Sequence, residues 1–128
     1  MSYIHPSVTQ LALIGVADPG QPNSERIVLR PMQTVALNGF GITVAVFDPS
    51  TGGARTVFDN VFWFPDITVQ APSWILVYTG KGESQGLILP GGEHARTFFW
   101  QRSNTVFAHQ LIVPVLFQMG GATIGRRL

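Results

Sequence analysis

Gly82-Glu83-Ser84-Gln85-Gly86 carries the spacing G-x-S-x-G, which in a nucleophile elbow holds a serine hydroxyl at a strained strand-to-helix turn. Trp74 to Thr79 can supply the strand, but Leu87-Ile88-Leu89-Pro90-Gly91-Gly92 cannot supply the helix that must follow. Every aspartate precedes Ser84, so only Glu93 with His94 or His109 could complete the order Ser, acid, His. A loop serine and no catalytic residue are expected. Thr79-Gly80-Lys81-Gly82-Glu83-Ser84 gathers residues used in phosphate loops, yet Gly82 stands where G-x-x-x-x-G-K-[ST] needs Ser or Thr. The segment therefore reads as a glycine-rich hairpin loop carrying Lys81.

His5, His94 and His109 show neither H-x-H nor H-x-x-x-H spacing, and cysteine is absent, so no metal-ligand set is expected. His109 lies among apolar residues and is expected to be half-buried and hydrogen-bonded. Asp48, Asp59 and Asp66 fall in turns, where aspartate bonds its own backbone; a calcium ion shared by two such turns is the minor alternative. Trp63, Trp74 and Trp100 are expected chiefly to fill the space between sheets, whereas an exposed one would stack on a sugar or anchor a protein interface. Arg96, Arg102, Arg126 and Arg127 can flank a phosphate-bearing partner or simply solvate strand ends. The candidate binding residues are thus Trp63, Lys81, Arg96 and Arg102, with no cofactor implied.

These residues need a scaffold, and the composition limits which one. At 128 residues the chain suits one domain with a real core. Hydrophobic residues make up 45% and charged residues 12%, about half the usual share of roughly 25%, so the chain folds, and part of its surface is expected to be covered by another chain. A net charge of +1 gives no field to gather nucleic acid or an anionic membrane. No stretch approaches the ~20 apolar residues of a membrane-spanning helix, and no basic region precedes Leu11 to Ala17 as in a secretory signal. A soluble, intracellular protein is expected.

With 14 glycines, 9 prolines and no 3.6-residue period, the chain leaves little room for helix. Strands are expected at Val8–Val16, Arg26–Arg30, Thr34–Leu37, Ile42–Phe47, Thr56–Phe58, Val61–Phe64, Trp74–Thr79, Thr97–Trp100, Val113–Phe117 and Ala122–Gly125. Ile27 and Leu29 should point inward, with Arg26 and Arg30 facing solvent. Asn38-Gly39 and Gly120-Gly121 are the expected tight turns. Trp74–Thr79 and its returning partner Thr97–Trp100 form the centre. Roughly nine or ten short strands indicate an all-β sandwich.

Taken in order, Leu13-Ile14-Gly15-Val16, Glu25-Arg26-Ile27-Val28-Leu29, Val35-Ala36-Leu37-Asn38-Gly39-Phe40 and Trp74 to Gly82 resemble the lamin-tail domain, as do Phe99-Trp100, Val106-Phe107 and Val113 to Ile124. Phe40 stands where that family has Trp, its Glu-Leu-x-Asn is absent after Arg26, and Gly-Gly follows the Thr-Gly strand instead of preceding it. The resemblance implies an immunoglobulin-like β-sandwich acting as a non-enzymatic protein-binding or assembly module. Association would run through strand edges or an apolar face, with a protein partner or a second copy. A carbohydrate-binding sandwich and a structural subunit of a virion or secretion machine are the alternatives.

Overall fold

The computed structural model of the chain describes residues 8–128, apart from the side chains of residues 58–60. The readings of His5 and of the Asp59 carboxylate lie outside the described residues. Among those described there are ten strands and no helix. They are β1 (Leu11–Ala17), β2 (Arg26–Pro31), β3 (Val35–Ala36), β4 (Phe40–Asp48) and β5 (Gly53–Trp63), then β6 (Thr68–Val69), β7 (Trp74–Tyr78), β8 (Gly86–Ile88), β9 (His94–Phe99) and β10 (Ile112–Gln118).

A five-stranded sheet of order β1-β2-β7-β9-β8 packs against a three-stranded sheet of order β10-β4-β5, forming a β-sandwich. Period-two alternation decides which side chains enter the core. Ile27 and Leu29 of β2, Ile75 and Val77 of β7, and Ile42 of β4 are all fully buried. Phe62 of β5 reaches across to Phe98 of β9, with ring centroids 6.4 Å apart. The two-stranded sheet β3-β6 adds Val35 and Val69 to the same core.

Four expectations change. Thr56–Phe58 and Val61–Phe64 belong to one strand, β5, in which residues 57–60 stand opposite Val44 alone; the extra residues make a bulge, not a loop. Asn38-Gly39 is a tight turn closed by Phe40 N–H to Leu37 C=O at 3.1 Å, but only Gly39 takes positive φ (88°). That turn carries the chain from β3 into a different sheet, so it joins no hairpin. The expected return strand near Thr97–Trp100 does pair with β7, but parallel to it, because the hairpin β8-β9 inserts β9 between β7 and β8. Residues 119–128 form no strand: once past β4, Gly120-Gly121 has no neighbouring strand on which to fold the segment back.

Among the described residues one charged side chain is enclosed in this apolar frame. Glu25, just before β2, is only 1% exposed. Its Oε1 accepts from the Thr79 hydroxyl at 2.7 Å and Val106 N–H at 2.6 Å, and its Oε2 from Gly20 N–H at 2.7 Å and Phe107 N–H at 3.0 Å. Burial pushes the carboxyl pKa up, but the bonds from Val106, Gly20, Thr79 and Phe107 together outweigh it and hold it below its ordinary value. A group depressed in the fold contributes stability above its unfolded pKa and loses it as pH falls through the folded value. Glu25→Gln should therefore cost about 3 kcal/mol at pH 7, since an amide turns a donor toward donors. Urea unfolding should show that gap narrowing as pH falls through the depressed folded value and the native carboxylate takes up its proton.

Candidate assembly face

The two sheets present unlike outer faces. On the five-stranded sheet, the Arg30 guanidinium lies 3.9 Å from the Trp74 ring centroid and donates to Glu93 at 3.0 Å, and Trp74 Nε1 donates to the same carboxylate at 3.1 Å. Arg26 reaches 5.9 Å from the Tyr78 ring and donates to Asp18 at 2.7 Å, while Tyr78 stacks on Phe99 with centroids 5.1 Å apart. The chain thus covers these rings with its own charges. Trp74 lies on this outer face and not between the sheets, because Ile75 and Val77 hold the inward positions of β7. Arg26 and Arg30, expected in solvent, are half-buried across the rings for the same reason.

On the outer face of β10-β4-β5 no charged side chain among the described residues plays that part; the central β4 positions Gly41, Thr43 and Ala45 are buried, and the flanking residues are half-buried or exposed. Register aligns Phe117, Gly41 and Trp63 in one row, Val115, Thr43 and Val61 in the next, and Val113, Ala45 and Thr56 in the third. No charged side chain belongs to these rows. The Phe117 ring lies over Gly41, where an added Cβ would meet it at 2.5 Å, and its centroid is 5.1 Å from that of Trp63. Trp63 is 52% exposed and Val61 39%. The sequence reading of Trp63 as a core filler fails because Phe62 takes the inward position beside it.

The strand edges are blunted by shape instead of charge. Leu111 C=O accepts from Phe47 N–H of β4, and Met119 N–H donates to Gly39 C=O just before β4, so the odd residues of β10 face β4 and the even ones face outward. Among the outward positions Pro114 has no N–H, and Ile112 N–H already donates to His109 C=O at 3.0 Å. The β5 edge carries the bulge at residues 57–60, β1 is irregular between Leu13 and Gly15, and β8 has three residues. Each is a recognised defence against edge pairing.

The remaining candidates divide. Ser84 donates its hydroxyl to Thr97 C=O at 2.6 Å and accepts from Arg96 Nε at 3.3 Å; the strand β8, not a helix, follows it. Asp48 accepts from Ser50 N–H and Oγ, bonds that lower its pKa, so its carboxylate serves its own turn. His109 is exposed, not half-buried, because the turn it occupies lies outside the core; its Nδ1 accepts from Leu111 N–H. Lys81 and Arg102 line one cleft, while Trp63 and Arg96 lie elsewhere. Their convergence could not be read from the sequence, since 21 positions separate them. Among the described residues no group of three His, Cys, Asp or Glu side chains could hold a metal ion, and no helix is long and apolar enough to cross a membrane.

No protein-family model, curated protein or solved structure matches the chain.

Because Trp74 is covered by Arg30 and not by a second sheet, the pair should be energetically coupled. A double-mutant cycle of Arg30→Ala and Trp74→Ala, read by urea unfolding, should give a coupling of about 1 kcal/mol. A coupling of zero, with Trp74→Ala alone costing the 3–5 kcal/mol typical of a deeply buried aromatic ring, would return Trp74 to the core.

Proposed function

We propose that this protein is a non-enzymatic assembly module, resembling a lamin-tail domain with its immunoglobulin-like sandwich, that pairs with a second copy through the outer face of β10-β4-β5. One observation supports this reading above the others: three rows of apolar and threonine side chains, rimmed by the exposed Trp63, on a chain that caps the aromatic rings of its opposite face with arginines. A small monomer normally breaks up such a face with charge. The blunted edges turn the choice between edge pairing and face pairing toward the face. A row that ends in Trp and Phe suits the centre of an interface, where large rings dominate affinity. A twofold axis through the face would set Val115 and Val61 of one copy against the same rows of the other, as closed symmetric pairs require.

Light scattering at micromolar concentration should give twice the chain mass. Val115→Lys places a charge in the middle row and should yield the monomer, whereas Val28→Lys on the opposite face should leave the pair intact. A wild-type monomer across that range, or equal loss of pairing in both variants, would remove the proposal.

A further inference from the structure

The crossing of two loops builds a second site, independent of the apolar face. Trp100 N–H donates to Tyr78 C=O, Gln101 N–H to Gly80 C=O and Arg102 N–H to Thr79 C=O, at 2.8 to 2.9 Å. The Gln101 side chain, held on a residue with φ of 64°, closes the clamp by accepting from Gly82 N–H at 3.3 Å and donating to Gly82 C=O at 2.7 Å. Gly82 is pressed against Phe99 so closely that a Cβ would meet its ring at 2.5 Å. The loop therefore has little freedom, and Lys81, the only lysine of the chain, is fixed at the rim of a cleft of about 360 Å3. Across it stands Arg102, followed by Ser103, Asn104 and Thr105, with Asn23 at the third side.

The chemistry of this lining is one-sided. Two cations and five neutral hydrogen-bonding side chains line the cleft, the Thr79 hydroxyl being committed to Glu25, and no carboxylate lines it. Arg26 and Arg30 are neutralised by Asp18 and Glu93, but neither Lys81 nor Arg102 has an ion pair among the described residues. Glu25, bonded to Thr79, is saturated by its four donors, and Glu83 lies outside the lining. The volume falls in the range of small-ligand pockets. Lysine as a compact point charge and arginine as a planar fork together suit a tetrahedral dianion, with hydroxyl and amide groups left for its remaining oxygens.

We infer that the cleft between Lys81 and Arg102 binds the phosphoryl group of a small phosphate ester. Inorganic phosphate and phenyl phosphate serve as probes, with acetate as the carboxylate arm, each followed by amide chemical shifts on the full chain at fixed ionic strength. Saturable shifts confined to residues 79–82 and 102–105, stronger for either phosphate than for acetate, are expected. Lys81→Glu changes an exposed side chain and should weaken phosphate binding at least tenfold while amide shifts of the core strands stay in place. Lys81→Arg keeps the charge and should retain most of the affinity. Arg102→Gln should weaken binding similarly. No saturable shift, equal response to acetate, or unchanged affinity in Lys81→Glu would overturn the inference.

Discussion

A carboxylate enclosed by protein is tolerated only when donors replace the water it has lost, and the arrangement of this chain follows from how Glu25 meets that demand. Its four donors come from three separate places: the turn at Gly20, the end of β7 at Thr79, and the loop at Val106 and Phe107. An ionised carboxylate only accepts, so it can take all four at once, which neither an amide nor a hydroxyl could do. The loop it holds runs from β9 in one sheet to β10 in the other. The same carboxylate therefore anchors the crossing between sheets and the floor on which the Lys81–Arg102 cleft stands.

Once the crossing is fixed, the distribution of charge explains the surface. Eight basic and seven acidic residues serve the whole chain, and the five-stranded sheet uses Arg26, Arg30, Asp18 and Glu93 to cover its own aromatic rings. The rows of the smaller sheet receive none. Its edges are kept from indiscriminate pairing by Pro114 and by the bulge of β5, devices that cost no charge. An apolar face with guarded edges favours association of one geometry over open-ended stacking.

Much of the sandwich was legible because alternation is a local signal. Ile27 and Leu29 faced inward as their spacing required, and the continuous apolar run of β4 proved to be a central strand buried on both faces for most of its length. What escaped the sequence was non-local. Nothing in Thr97-Phe98-Phe99 says that its partner lies parallel, since that depends on β8 taking the edge. Trp63 and Trp74 lie on strands as expected, yet which face a tryptophan takes depends on its register with neighbours that the run itself does not name. Glu25 was legible as part of a strand motif but not as a buried hub, because its donors lie as far as 82 positions away. Of the site residues, Lys81 and Arg102 could be picked by type, but only the loop clamp made by Gln101 brings them to one cleft.

The absence of cysteine gives a direct test of the face itself, since one introduced thiol can carry one spin label. Val115→Cys marks the middle row of the smaller sheet and Val28→Cys the opposite outer face. The electron-spin distance between labels in the associated protein should be short at position 115, near the ~10 Å spacing of stacked sheets broadened by the label arms. At position 28 the labels should lie well beyond that, on the far sides of two sandwiches. A short distance at 28 with a long one at 115, or no intermolecular distance at either, would contradict the account.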